Sequence, residues 1–339
     1  MKPTDQPPSH PDHIIAELRK QLPEEAFLAA PHKLWRMFAH IFIIMCGYFA
    51  CRGTASIPIM AITALIIGHS LACIGFLVHE LAHNGIVRSR LPRYCLEVFF
   101  FGLNFIPATM WQRVHNQTHH LHTNTLNDPD RKFFKSEESL LTRWYSRMLY
   151  PQQRAIHWSP LVFFHFVAYV IRNTIAAFYP NSMNPALVPF KPPYTLRLRT
   201  KIFAEVAFIV ALQVGIFHLV GARWDIYLWV SPVAILITSS IVNTYVFTQH
   251  FSNPIGEFTD PLAASTSVIV PSLFDRVHSN FSYHTEHHCF PHMNSDFYPQ
   301  LSVLLQQQYP DRYHRVPIGK AWRSLWQGEE FMPNLTKET

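Results

Sequence analysis

Four apolar segments, each close to the length of a membrane span, constrain this chain more than any other feature. They cover residues 35–51, 57–78, 202–220 and 226–247. A spanning α-helix needs about 20 mostly apolar residues, and a helix satisfies its own backbone hydrogen bonds inside lipid. Short links at 52–56 and 221–225 join the segments in pairs. The pattern predicts an all-α membrane protein with four transmembrane helices in two hairpins.

Composition supports a membrane protein. Hydrophobic residues make up 49% of the chain and charged residues only 15%, whereas a soluble domain carries about 25% charge. The formal net charge of +6 comes from Lys and Arg beside the apolar segments, as membrane topology requires, so we do not expect nucleic-acid binding. The five cysteines include no CxxC pair, so neither a disulfide framework nor a zinc ribbon is indicated.

Two further apolar stretches are not expected to span the membrane. Residues 96–110 form a segment shorter than a membrane span, and it contains Pro107. Both features favour a re-entrant or buried segment. Residues 160–179 are long enough but carry Arg172 and Asn173. An arginine near the middle of a span costs roughly 3 kcal/mol, so we expect this segment to lie in the interface or against protein.

The distribution of basic residues orients the chain. Lys and Arg are dense between residues 88 and 201 and recur after Arg276, whereas the two hairpin turns offer only Arg52 and Arg223. The positive-inside tendency therefore predicts that the N-terminus, the central loop and the C-terminal region are cytoplasmic. The expected organisation is a cytoplasmic N-terminal tail with a short helix at 1–34, a single membrane domain at 35–309, and a polar C-terminal tail at 310–339.

Histidines form three boxes, and the chain has 21 histidines in all. The boxes comprise His79 and His83; His115, His119 and His120; and His284, His287 and His288. Residues three and four apart share a helix face, so each box can aim its imidazoles at one point. Imidazole suits iron, copper, zinc and nickel, and these histidines are too many for one ion but fit two.

The number of spans between the boxes allows them to lie on the same face of the membrane. Two spans separate the second box from the third, so all three boxes return to one face, and a third span at 160–179 would prevent this. His284, His287 and His288 fall on one helical turn that Pro291 is expected to end or bend. The third box is thus predicted to close a metal site from the cytoplasmic side.

The boxes, their order and the paired hairpins resemble the integral-membrane fatty acid desaturase and hydroxylase superfamily. The stretches "HELAHNG", "HNQTHHLHTNTLNDPDR" and "HTEHHCFP" read like its boxes, and the likeness runs from about residue 35 to 309. It implies a non-haem di-iron site that activates O2 and removes hydrogens from an acyl chain. It also implies a further ligand, His250, at the end of the fourth span. Three residues separate the histidines of the first box, where some branches have four, which disfavours an acyl-CoA desaturase of that type.

The resemblance implies a fatty acid desaturase of the acyl-lipid type, with a hydroxylase or a terminal-alkene-forming fatty acid decarboxylase as alternatives. The sequence shows no cysteine cluster, no G-x-G-x-x-G fingerprint and no appended haem domain. A separate electron donor such as a ferredoxin, rubredoxin or cytochrome is therefore expected. The implied location is a cell inner membrane or the endoplasmic reticulum, with the active site on the cytoplasmic face.

One competing function class comes from the first box. "HELAH" fits the zinc metalloprotease pattern H-E-x-x-H, in which Glu80 would be the general base. That interpretation leaves the other two boxes unexplained. A soluble-type di-iron carboxylate site is disfavoured because it needs paired Glu-x-x-His motifs, and only Glu80 and His83 are suitably placed.

Residues around the boxes receive supporting roles, and none beyond the ligands is predicted to be catalytic. Carboxylates and amides that orient ligand rings are expected among Glu80, Asn116, Asp128, Asn280 and Glu286, with Asp130 and Asn84 as further candidates. Weaker ligand candidates, close to the boxes but off their spacing, are His122, His278 and His292, while His69 and His165 are assigned to packing or hydrogen bonding. The expected lining of an acyl tunnel is Phe99–Phe101, Trp111 and Phe281.

Overall fold

The computed structural model describes residues 11–54, 56–125, 127–130, 160–178, 194–254, 256 and 258–327. Helices dominate this part of the chain. They are α1 (Pro11–Gln21), α2 (Leu34–Arg52), α3 (Ile57–Ala82), α4 (Arg90–Leu103), α5 (Ala108–His122), α6 (Pro160–Phe178), α7 (Leu196–Leu219), α8 (Trp224–His250), α9 (Pro261–Ala264), α10 (Ser272–Val277), α11 (His284–Cys289), α12 (Tyr298–Gln308) and α13 (Ile318–Gln327). Short 3₁₀ turns occur at Glu24–Phe27, Pro31–Lys33 and Ser295–Phe297.

Four helical runs in the described residues are long and apolar enough to cross a membrane. They are Pro31–Arg52, Ile57–Ala82, Leu196–Leu219 and Trp224–His250. The four predicted transmembrane helices and their pairing in two hairpins are thereby confirmed. Gly221 and Ala222, with φ of 86° and 56°, make the tight turn of the second hairpin, a conformation that glycine adopts without strain.

The two hairpins pack through α3 and α8. A Cβ at Gly68 would lie 2.7 Å from the backbone oxygen of Ala234, so only glycine permits this approach. Pro232 lies inside α8, within a π-helical turn at Trp229–Val233, because proline lacks the N–H that a regular α-helical turn requires. Close packing of α3 on α8 brings the C-terminal ends of both helices, and the histidines there, to one face.

The segment with Pro107 is bent, as the sequence predicts. Helices α4 and α5 meet at an angle of 100° across a short break. Phe105 has a positive φ of 62° in that break, and Pro107 precedes the first turn of α5. Within α5, residues Gln112–His119 form a π-helix, which carries most of the second box.

Helix α6 packs along α8. Its His165 ring packs on Phe247 and Phe251 at the end of α8, and the Phe178 carbonyl accepts a hydrogen bond from Arg199 in the first turn of α7. Further along α6, Val170 and Ile175 line a cavity together with Ile209 of α7 and Ile235 of α8. Arg172 is 2% exposed and donates to the Pro129 carbonyl. The apolar run Phe164–Phe178 is shorter than the four candidate spans, and its interfacial position stays a prediction.

The described segments nearest to the two ends of the chain pack around the box region. Ile14 and Leu18 of α1 belong to one apolar cluster with Leu301 and Leu305 of α12. Strand β1 (Ser267–Ile269) pairs in parallel with β2 (Arg315–Pro317). Residues 315–327, assigned from the sequence to a polar tail, thus form a strand and helix α13, which contacts α8. Apolar residues along α13, including Ala321 and Leu325, are buried, which explains why this segment packs against the rest of the protein.

Candidate metal centre

Nine histidines converge at the box face and divide into two groups. The first cluster contains His79, His83, His115, His120 and His287, whose ligand-capable atoms lie within 4.8 Å of one another. The second cluster contains His119, His250 and His288, at the same spacing, together with His284, which contacts His250. All eight box histidines and His250 are therefore brought together.

The first cluster joins all three boxes. His79 Nε2 lies 2.9 Å from His115 Nε2, and His115 Nε2 lies 3.3 Å from His120 Nε2. His287 Nε2 from α11 lies 3.1 Å from His120 Nε2. The C-terminal end of α3, the π-helical turn of α5 and the short helix α11 each contribute a ring, so the cluster exists only when these three elements pack together.

The second cluster lies beside the first and uses the end of α8. His284 Nε2 lies 2.7 Å from His250 Nε2 and 3.2 Å from His288 Nε2. The His119 ring centroid is 4.9 Å from that of His250. His250 ends the fourth span, where the resemblance implied a further ligand, and its ring faces the box histidines rather than open solvent.

The second and third boxes are divided between the clusters. The sequence predicted that each box aims at one point, but His119 and His120 turn to different clusters, and so do His287 and His288. Successive residues of a helix project about 100° apart, so a pair of adjacent histidines faces two directions. The adjacent histidines of the second and third boxes therefore serve two neighbouring clusters.

The donor set fits metal ions. Each close contact joins one Nε2 to another, and in neutral imidazoles only one nitrogen per ring carries a proton. Burial, reinforced by the charges of neighbouring imidazoles, lowers the pKa of His284, His287 and His288 well below its ordinary value, so these rings keep their lone pairs. His83 Nε2 is buried with no hydrogen-bond partner among the described residues. A cation bound between the rings would satisfy these lone pairs.

Several outer nitrogens of these rings are held by polar groups. The Nδ1 atom of His119 donates to Asp128 Oδ1 at 3.0 Å and lies 3.4 Å from Asp130 Oδ2. The Tyr298 hydroxyl lies 3.2 Å from His287 Nδ1. Such contacts turn Nε2 inward and set the tautomer. Tyr298 was missed in the sequence because it lies 11 residues beyond His287 without a spacing that marks it.

The predicted orienting residues have different contacts. Asp128 holds a box ring, as expected of an orienting carboxylate. The described hydrogen bonds of the others go to groups other than imidazole rings: Glu80 with Lys33 and Ser295, Asn116 with Gln112 and the Ala82 carbonyl, Asn280 with the Ser295 carbonyl, Glu286 with Ser267 and Tyr313, and Asn84 with Arg93. These five residues therefore form hydrogen bonds that hold the segments around the boxes in place.

The weaker histidine candidates lie outside both clusters. His292 Nδ1 donates to the backbone carbonyl of His83 at 2.6 Å, which braces the first box. His278 contacts His69 and Tyr245. His165 packs on Phe247, and His122 belongs to neither cluster. The assignment of His69 to packing or hydrogen bonding stays a prediction, because its ring nitrogen lies 3.2 Å from that of His278 with neither proton located.

An apolar cavity of about 120 Å³ opens beside the clusters. Residues of both clusters border it: His79, His115, His119, His250 and His284. Of the predicted tunnel residues, Phe101, Trp111 and Phe281 line the cavity, whereas the buried Phe100 packs against the exposed Phe38. Val242 and Val246 of α8 complete one wall. An extended apolar molecule in this cavity would lie against the imidazole clusters.

Comparison with known proteins covers the whole box region. Residues 55–319 match the family described as "Fatty acid desaturase". The chain is 22% identical over 340 residues to the omega-6 fatty acid desaturase, endoplasmic reticulum isozyme 2, of Glycine max, covering 92% of this chain and 86% of that relative. It is 23% identical over 263 residues to a Delta(12)-fatty-acid desaturase of Vernicia fordii, covering 73% of this chain and 67% of that relative.

Proposed function

The chain belongs to the fatty acid desaturase family, and on that premise we propose that it introduces a double bond into a fatty acyl chain carried by a membrane lipid. The single observation that supports this most strongly is the pair of imidazole clusters beside one apolar cavity. The relatives named omega-6 and Delta(12) desaturases add support for desaturation. A hydroxylase or decarboxylase would need the same ligands, so product analysis decides between them.

Two iron ions are the proposed cofactor. His79, His83, His115, His120 and His287 would hold one ion, and His119, His250, His284 and His288 the other. When bound, an iron pair supplies the O2-dependent oxidation that an aliphatic C–H bond requires, because acid or base side chains cannot attack such a bond. Every box then contributes to the site, which gives each histidine of the three boxes a function.

The protein itself positions the substrate and excludes water. Phe101, Trp111 and Phe281 give the cavity an apolar wall, which suits an acyl chain and disfavours bulk water. Asp128, through its hydrogen bond with His119 Nδ1, keeps the opposite nitrogen of that ring turned toward the second cluster. The acyl chain is thereby held against both clusters, where a specific methylene pair is presented for oxidation.

A separate protein must supply electrons. Forming one double bond removes two hydrogens from the acyl chain, whereas reducing O2 to two waters takes four electrons, so a donor supplies the other two. We propose a ferredoxin, rubredoxin or cytochrome that docks on the face that carries the boxes.

The box face is proposed to be cytoplasmic, in an inner membrane or the endoplasmic reticulum. Reporter tags test this: tags at the N-terminus and the C-terminus should both report the cytoplasmic side, and a tag near Arg223 the opposite side. A cytoplasmic signal at Arg223 would contradict the orientation.

The metalloprotease alternative loses its general base in this structure. Glu80 is 5% exposed and is engaged by Lys33 at 2.8 Å and by Ser295. A general base must reach a water molecule at the metal, and this carboxylate is instead held within a buried polar network. The glutamate of the H-E-x-x-H pattern therefore has a packing role, while His79 and His83 belong to the first cluster.

Lipid and hydrocarbon profiling by mass spectrometry tests the proposed function. A host that expresses the chain should gain an acyl double bond in its membrane lipids, and the His287→Ala variant should not produce it. A hydroxylated acyl chain or a terminal alkene would move the assignment to the corresponding branch of the superfamily. A zinc-dependent peptidase activity that Glu80→Gln abolishes would overturn the proposal.

A further inference from the structure

A third group of metal-ligating side chains lies away from the box clusters. The ligand-capable atoms of His69, Cys73 and His278 lie within 4.8 Å of one another. His69 and Cys73 are one turn apart on α3 and therefore share a face, and His278 follows α10. His69 precedes His79 by ten positions on the same helix, which corresponds to about 15 Å along the axis.

Aromatic rings separate this group from the boxes. Phe76 lies 5.1 Å from the His278 ring and stacks on Phe281 at 4.4 Å, measured between ring centroids. Phe281 in turn packs on His79 at 5.4 Å. A metal ion bound by His69, Cys73 and His278 would therefore be separate from any ion bound by the boxes.

The distances within the group match the edges of a tetrahedral zinc site. His69 Nε2 lies 3.2 Å from His278 Nε2, and Cys73 Sγ lies 3.9 Å from His69 Nε2. Zinc bonds of about 2.05 Å to nitrogen and 2.3 Å to sulfur give N···N edges of about 3.3 Å and N···S edges of about 3.6 Å. A small movement of the Cys73 side chain would complete the geometry.

The surroundings resemble those of a bound imidazole. The Tyr245 hydroxyl lies 2.8 Å from His278 Nδ1, which leaves Nε2 to face the group, as outer contacts of metal ligands do. Cys73 is fully buried and His278 is 4% exposed. His40 of α2 has a buried Nδ1 with no hydrogen-bond partner among the described residues. Burial, together with the charges of His69 and His40, lowers the pKa of His278 to about 4.

We propose that His69, Cys73 and His278 bind one zinc ion, with the fourth position taken by His40 or water. A hydrogen-bond relay from Tyr245 through His278 to His69 accounts for the two imidazoles but gives the thiol no role. The donor set of this site combines nitrogen and sulfur, which suits zinc. It differs in this from the box clusters, whose donors are all imidazole nitrogens. The proposal stands independently of the function assigned to the boxes.

The zinc ion would fix the segment that leads into the third box. Ser279 and Asn280, directly after His278, have φ of 55° and 56°, a conformation disfavoured for residues other than glycine. Tying His278 to α3 holds this turn in place and sets Phe281 and His284 beyond it. The site is therefore structural, on the path between α3 and the third box.

Metal analysis and cobalt spectroscopy test the site on the full chain purified in detergent. The wild type should contain about one zinc per chain in addition to iron, and Co²⁺ in its place should show sulfur-to-cobalt charge-transfer absorption. Cys73→Ala should lose that absorption and nearly all the zinc while retaining iron. Cys51→Ala, which removes another buried cysteine on α2, is the matched control and should change neither. His69→Gln is a second variant in case Cys73→Ala misfolds.

The outcomes separate this site from the boxes. His287→Ala should lose iron but keep the cobalt absorption. Wild-type protein without zinc and without a cobalt–sulfur band would overturn the proposal, as would equal zinc in Cys73→Ala and Cys51→Ala. Loss of iron with zinc retained in every variant of the group would assign the three residues to packing alone.

Discussion

The Nε2 atoms of His120 and His287 lie 3.1 Å apart although 167 positions separate the two residues. The neighbour of each, His119 and His288, belongs to the second cluster. The second and third boxes therefore contribute to both clusters, and neither cluster can form without α5 and α11 packing together. Replacing one histidine of an adjacent pair should weaken one cluster directly and disturb the other through the shared helix.

The first prediction concerns the paired histidines of the third box. His287→Ala and His288→Ala should each abolish product and lower bound iron from about two per chain to about one or less, because each ring belongs to a different cluster. Iron analysis of detergent-purified protein measures this. The exposed His218 at the far end of α7 provides the control His218→Ala, which should retain iron and activity. Full turnover in either box variant would contradict the assignment.

His250 is predicted to be as important as a box residue. Its Nε2 lies 2.7 Å from His284 Nε2, and His250→Ala would remove one of four rings from the second cluster. Product should fall by at least about 10²-fold, because loss of a group that merely orients a metal ligand already costs about 10–100-fold in metal affinity or activity. Lipid profiling with matched expression levels measures it. Near wild-type product would place His250 outside the site.

Asp128→Asn should weaken metal binding without removing a ligand. The Asp128 carboxylate accepts a hydrogen bond from His119 Nδ1, and loss of such an orienting contact costs about 10–100-fold in metal affinity. The change is measured as the chelator concentration at which half of the bound iron is lost during dialysis. Added iron should restore activity. The exposed Asp225, in the first turn of α8, supplies the control Asp225→Asn. An unchanged chelator midpoint would contradict a positioning role for Asp128.

Lys33→Met should destabilise the fold at the first box. Lys33 is 1% exposed and donates to Glu80 at 2.8 Å, Asn294 at 2.6 Å and Ser295 at 2.8 Å. Removing one partner of a buried ion pair costs about 3–5 kcal/mol because the other charge stays buried. Thermal unfolding in detergent should show a lower Tm, and the double variant Lys33→Met with Glu80→Gln should recover part of it. Equal Tm values for Lys33→Met and wild type would mean that the pair contributes little.

Val242→Phe should restrict the acyl cavity while leaving the metal site intact. Val242 lines the cavity of about 120 Å³, and a phenyl ring there would occupy much of that space. Product from long acyl chains should fall at unchanged iron content, as measured by lipid profiling and metal analysis. Leu65→Phe, on an exposed face of α3, is the control and should keep activity. Full activity toward long chains in Val242→Phe would place the acyl chain elsewhere.

The membrane architecture could be predicted from the sequence because its cause is local. Lipid offers the backbone no hydrogen-bond partner, so each sufficiently long apolar run must be a helix, and the four spans agree with the observed helices. Arg172 likewise predicted protein partners for α6, since a buried cation needs them, and it donates to the Pro129 carbonyl. The even number of spans between the second and third boxes then required these boxes to share a face.

Tertiary packing alone decided how the histidines are grouped. Spacing within a box shows which rings share a helix face, but not which ring of another element lies opposite. The division of His119 from His120, and the contact of His278 with His69, depend on how α3, α5, α8 and the segment before α11 pack. Glu286 and Asp128 are both carboxylates in or near a box. Only Asp128 accepts a hydrogen bond from a histidine ring, whereas Glu286 accepts one from the Tyr313 hydroxyl. Local periodicity determines the direction of a side chain along its own element, whereas the position of its partner depends on long-range packing.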